Sequence, residues 1–93
     1  MPGMNAKYEV VFSSDFDKAY KKLDRQIRQR VLRKLYGLTS LENPADVCKP
    51  LTGSYIGLWR VRVGDYRVIV DIRKNELTII ALEVGHRSGV YKR

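Results

Sequence analysis

Apolar positions cluster at residues 8–12, recur every three or four residues from 16 to 38, alternate with polar ones from 59 to 63, and run on through 66–72 and 76–84. The first stretch, "KYEVVF" (7–12), is rich in β-branched and aromatic residues and predicts a strand. Phe16, Ala19, Tyr20 and Leu23 then fall on one helical face. Ser14 is placed to cap that helix, and Asp15 and Asp17 suit its first turn. Asp24 can cap a second helix, whose buried stripe is Ile27, Val31, Leu35 and Leu38. Gly37 weakens its last turn, and Asn43 before Pro44 ends the segment. "CKPLTGSY" (48–55) predicts an irregular connection. Strands follow at 56–63, 66–72 and 76–84, separated by "GD" and "RKN". Such short turns join antiparallel neighbours in a meander. The order is β-α-α-β-β-β. It predicts an α+β fold with a two-helix hairpin on one face of a mainly antiparallel sheet, as one domain over residues 1–93.

The stretch "GLWRVRVGDYRVIVDI" (57–72) carries three arginines inside two of those strands. Alternation puts Trp59, Val61 and Val63 on one face, and Leu58, Arg60 and Arg62 on the other. With Gly64-Asp65 as a two-residue loop, Val63 pairs with Tyr66 and Arg62 lies opposite Arg67. Val68 and Val70 extend the apolar face toward the helices. Arg60, Arg62, Arg67 and Ile69 share the opposite face. Like charges directly across a strand pair cost roughly 0.2–1 kcal/mol. One balance is a carboxylate at Asp65, Asp71 or Glu83, of which Asp71 has the right strand parity. The other is a bound anion. Arginine suits phosphate because its planar fork binds bidentately and stays protonated.

Charge widens the picture. Eighteen Lys and Arg against ten Asp and Glu give +8, with a sequence pI near 9.9. A field of that sign attracts polyanions, nucleic acid first and an acidic protein second. The helices alone carry Lys18, Lys21, Lys22, Arg25, Arg28, Arg30, Arg33 and Lys34, either a solvated face or a long-range attractor for phosphates. The single Cys48 has no disulfide partner and no companion ligands for zinc, and reads as a small half-buried residue. The opening "MPGMNAKYEV" has no secretion pattern and no apolar run approaches a membrane span, so a cytoplasmic protein is expected.

No paired-carboxylate site, Walker loop, metal-ligand cluster or Ser/His/Asp set stands out, and no cofactor is implied. A phosphodiester of RNA can still be cut without a metal, because its own 2′-hydroxyl can attack the phosphorus. That needs strand orientation, charge stabilisation and proton transfers at both ends. Arg60, Arg62, Arg67 and Arg87 could supply charge. Tyr91 or His86 could handle protons or stack on a base.

"LTGSYIGLWRVRVGDYRVIVDI" followed by "VGHRSGVYK" resembles the RelE/ParE superfamily of toxin–antitoxin toxins, closest to the RelE side. The likeness covers nearly the whole chain. It implies a ribosome-dependent endoribonuclease that cleaves mRNA in the ribosomal A site and inhibits translation. It also implies a cognate RelB-like antitoxin, with operator DNA bound only through the antitoxin complex. By position, Arg60 and Arg62 match two basic residues that are often lysines in the family. Arg67 matches the arginine on the scissile phosphate, Arg87 the active-site arginine after the last strand, and Tyr91 the terminal tyrosine. Lys49, His86 and Lys92 join Arg60 and Arg62 as expected RNA-binding residues. An arginine is a poor proton acceptor, so Arg60 and Arg62 are expected to orient the RNA and stabilise charge. The proton role then moves to Tyr91, to His86 (histidine's ordinary pKa is ~6.5), or outside the protein. The chain stops two residues after Tyr91, so a longer C-terminal helix is not expected. The alternative within the superfamily is a ParE-like inhibitor of DNA gyrase without nuclease activity.

Overall fold

A serine and an aspartate start the two helices of the computed structural model, which describes residues 7–86. Helix α1 runs Ser14–Lys21 and helix α2 runs Arg25–Leu38. Ser13, not the expected Ser14, caps α1: its hydroxyl accepts the Phe16 N–H at 3.0 Å. The same hydroxyl donates to the Leu82 carbonyl at 2.9 Å, a bond to the sheet that the first helical residue, Ser14, does not make. Asp24 caps α2 as expected, with Oδ1 accepting the Gln26 and Ile27 N–H groups at 2.9 and 3.1 Å. Gly37 does not end that helix early, which continues to Leu38.

The five strands are β1 (Glu9–Phe12), β2 (Lys49–Pro50), β3 (Trp59–Val63), β4 (Tyr66–Arg73) and β5 (Thr78–His86). They form one sheet in the order β1-β5-β4-β3-β2. Strand β1 lies parallel to β5, and every other pair is antiparallel. The α+β architecture and the β3-β4-β5 meander are those the sequence predicts. Strand β1 starts two residues later than expected and β4 ends one residue later, and three further differences bear on the site. The connection at 48–55 contains the short strand β2 and a 3₁₀ turn, Gly53–Tyr55. Strand β3 begins after Gly57, whose φ of +93° lies outside the strand region. Strand β5 starts later, after the left-handed Leu77, and does not break at Gly85: Arg67 pairs with Gly85 and Tyr66 with His86. Glycine lacks a side chain to pack but keeps both ladder groups, so the strand runs through it.

One face of this sheet is dry. Phe16 from α1 and Val31, Leu35 and Leu38 from α2 pack on Val61, Val63, Val68, Val70, Ile79, Ala81 and Val84, all buried. Burying a side chain of this kind contributes roughly 1.5–3 kcal/mol before entropy is charged against it. Trp59 is half-buried at the margin of that core. The helical layer thus claims one sheet face and leaves the other to the loops. Among the described residues no helix is long and apolar enough to cross a membrane.

Candidate nucleic-acid interface

The β3–β4 hairpin turns in two residues because Gly64 takes φ +59°. A positive φ at the first loop position suits the right-handed twist of the strands. The register follows: Val63 opposite Tyr66, Arg62 opposite Arg67, Val61 opposite Val68, and Arg60 opposite Ile69. Strand β2 adds Lys49 directly across from Arg60. Lys49, Arg60, Arg62 and Arg67 therefore stand on one face, away from the main core. Arg62 is exposed, while Arg60 and Arg67 are half-buried.

That face is not a bare platform of cations. Ile69 is fully buried there, packed with Tyr55, Leu51, Leu58 and Leu82. The segment between β2 and β3 folds back to cover it; Lys49 and Arg60 share its row, and Arg62 and Arg67 lie one row nearer the hairpin turn. Leu58 and Ile69 on the arginine side were the sequence signal for such a cover: two apolar residues on a solvent face need one.

The carboxylates sort differently from their strand parity. Asp71 Oδ2 accepts from Arg73 Nε at 3.0 Å, and Arg73 also approaches Glu76 at 3.7 Å. The Asp71 hydrogen bond holds the Arg73 guanidinium still more firmly protonated. Asp71 is therefore spent at the far end of β4. Glu83 comes instead to the arginine face, opposite Ile69. A bulge at Ile69/Val70 leaves Leu82 outside the ladder, so no simple alternation along β5 could place it. Glu83 lines a cleft of about 200 Å³ with Ser13, Asp15, Ser54 and Tyr55.

His86 goes elsewhere. Its register partner Tyr66 meets it edge-on, with ring centroids 5.6 Å apart at 82°. It shares a cleft with Asp15, Lys18, Lys22, Leu23 and Glu83, on the α1 side of β5. Arg87, Tyr91 and Lys92 lie outside the described residues.

A second cationic surface lies around the hairpin tip. A groove of about 470 Å³ runs between α2 and the outer edge of β3. Arg30, Arg33, Lys34 and Arg62 rim it, Leu38, Leu41, Val47 and Val63 form its apolar floor, and no carboxylate is among the described residues lining it. Arg30 leans over the turn: a Cβ on Gly64 would meet its Nη2 at 3.1 Å. Arg62 belongs to both surfaces.

The sequence model described as "ParE toxin of type II toxin-antitoxin system, parDE" matches residues 10–91. Toxin RelG of Mycobacterium tuberculosis is 33% identical over 86 residues, covering 92% of this chain and 98% of that protein. Among solved structures, the toxin–antitoxin complex RelBE2 from Mycobacterium tuberculosis is similar with a TM-score of 0.79 and 29% identity, over 95% of this chain and 99% of that one. The archaeal RelE–RelB complex from Pyrococcus horikoshii is similar with a TM-score of 0.70 and 26% identity, over 90% and 99% of the two chains.

Proposed function

The chain belongs to the RelE/ParE superfamily of type II toxin–antitoxin toxins, and from that premise we propose that it is a ribosome-dependent endoribonuclease that cleaves mRNA in the A site. The observation that carries this reading is the row of Lys49, Arg60, Arg62 and Arg67 on one sheet face, with Arg62 directly opposite Arg67. Four cations at strand spacing, about 5 Å between cross-strand neighbours, match a bent phosphate backbone better than they serve the fold.

In this mechanism the 2′-hydroxyl attacks the adjacent phosphorus and the 5′ oxygen leaves. Arg67 meets the scissile phosphate, while Arg60 and Arg62 orient the strand and stabilise charge on the phosphorane. Lys49 holds a flanking phosphate. Arg87, Tyr91 and Lys92 keep the roles that the family resemblance gives them. His86, on the helix side, is left out of this set. No metal ion is required, because the nucleophile comes from the RNA itself. The setting is the cytoplasm, where ribosomes are.

The proposed partner is a RelB-like antitoxin, as in the RelBE2 and RelE–RelB complexes. The groove beside α2 suits an acidic segment of such a protein. Its floor accepts apolar side chains, its rim accepts carboxylates, and Arg62 would be covered with it. Operator DNA is reached only through that complex.

Primer extension on mRNA after induction in cells tests the activity. Cuts at ribosome-occupied codons are expected, and Arg67→Ala is expected to lower them at least about tenfold, the scale of one charge-assisted bond to phosphate. The family model names ParE, which keeps gyrase in view. Inhibited supercoiling with intact mRNA would replace this reading by the gyrase one.

A further inference from the structure

The arginine row supplies charge, but an arginine does not take up a proton at ordinary pH. The reaction proposed above needs an acceptor for the 2′-hydroxyl proton, and the described residues narrow the choice. His86 stands on the helix side beside Tyr66. Asp71 is held by Arg73. Burial pushes the Cys48 thiol up to about 11, and its Sγ–H donates to the Pro44 carbonyl. Glu83 is the carboxylate that the sheet itself delivers to the arginine face.

Its position is specific. Reading across the sheet, Arg62, Arg67 and Gly85 form one row, and Arg60, Ile69 and Glu83 form the next. Glu83 is therefore the diagonal neighbour of Arg67 on adjacent strands. Such positions are about 7–8 Å apart and within reach of long side chains. Gly85, directly opposite Arg67, puts no side chain between these two positions. A phosphate seated on Arg67 has cations toward β3 and Glu83 toward β5. The bulge at Ile69/Val70 makes this arrangement, since Leu82 is left out of the ladder and Glu83 is set opposite Ile69. The half-buried Glu83 also lines one cleft with Asp15, Ser54 and Tyr55 and another with Lys18, Lys22 and His86.

We propose that Glu83 is the catalytic residue that accepts the 2′-hydroxyl proton, an assignment that rests on the ribonuclease reading. A Glu83 carboxylate oxygen takes that proton as the 2′ oxygen bonds to phosphorus. The bond from phosphorus to the 5′ oxygen breaks with its electron pair, and the 5′ oxygen takes a proton from water. The products are a 2′,3′-cyclic phosphate and a 5′-hydroxyl, and the protonated Glu83 returns its proton to solvent. Nothing is oxidised or reduced.

The test compares wild type, Glu83→Gln and Glu83→Ala on mRNA-programmed ribosomes under single-turnover conditions. General base catalysis contributes about 10²–10⁴-fold, so both variants are expected to cut at least about 100-fold more slowly. Binding to ribosomes carrying mRNA with a 2′-deoxy nucleotide at the cut site is expected to hold or tighten, because a negative charge leaves the cationic face. Added formate or imidazole is expected to restore part of the Glu83→Ala rate. A Glu83→Gln rate near wild type overturns the assignment. So does loss of binding together with rate, without rescue by added base, which is the signature of a structural counterion to Arg67. Circular dichroism of Glu83→Gln separates misfolding from chemistry, and an unfolded Gln variant beside a folded, base-unresponsive Ala variant also counts against it. If the wild type leaves mRNA intact, the ribonuclease reading itself falls, and this assignment with it.

Discussion

Arg62 and Arg67 face each other across a strand pair, a placement that costs the folded chain roughly 0.2–1 kcal/mol when nothing lies between them. Arginine tolerates it better than lysine would, because the guanidinium spreads its charge and is weakly hydrated. Cys48 shows the opposite case of a residue shaped by the fold alone. It is half-buried, and burial raises its thiol from 9.0 to about 11, partly opposed by the nearby Lys34 cation. The sign follows directly. The folded pKa lies above the unfolded one, so the folded state favours the neutral thiol. This contribution to stability is complete below pH 9 and is lost as pH rises toward 11. The native protein at pH 9 is therefore expected to react with iodoacetamide far more slowly than the urea-unfolded chain, since the thiolate is the nucleophile. Equal rates in native buffer and in urea would mean that the thiol is not sheltered.

At the scale of elements, two left-handed residues make a contrast that can be measured. Gly64 (φ +59°) turns the hairpin, and Leu77 (φ 51°) closes the 3₁₀ turn Lys74–Glu76 before β5. An L side chain at such angles costs roughly 1–2 kcal/mol. Gly64→Ala is expected to lose about that much in urea unfolding, and its methyl also displaces Arg30 from the turn. Leu77 is 50% exposed, so Leu77→Gly gives up little burial and removes the strain. It is expected to be neutral or stabilising by up to about 1 kcal/mol, after the added backbone entropy of glycine. A Leu77→Gly loss as large as that of Gly64→Ala would show that the Leu77 angle carries no strain. These turns also mark how far the sequence could be read. The "GD" loop fixed the Arg62–Arg67 pair in advance, because a two-residue hairpin leaves one register. The helical stripes and Asp24 were equally legible, being local. Leu77 was not, since nothing local asks a leucine to turn left-handed. Glu83 was not placed either, because its face depends on a bulge set by packing Ile69 and Leu82 against Tyr55.

For the whole molecule, the question is where +8 resides. Asp17, Glu42, Asp71 and Glu76 each pair with a basic residue outside the two cationic surfaces, namely Lys21, Lys7 and Arg73. The groove beside α2 gathers Arg30, Arg33, Lys34 and Arg62 with no carboxylate among the described residues lining it, and it meets the arginine row at Arg62. An antitoxin seated in that groove has two effects at once: it neutralises the attracting field and covers one member of the RNA row. Its association is expected to be steered electrostatically, and screening acts beyond about 8 Å at physiological ionic strength. Titration of the toxin with its antitoxin across a salt series should show affinity falling as salt rises. Arg30→Glu combined with Arg33→Glu is expected to slow association by about 10-fold or more at low salt and to flatten that salt dependence. The row on the other face remains basic in this variant, so a loss of affinity reports on the groove and not on overall charge alone. Reversing two exposed charges away from the groove, Lys18→Glu and Lys22→Glu, changes the net charge equally. If that pair weakens the complex as much as the groove pair, the antitoxin reads the global field, and the groove is not its seat.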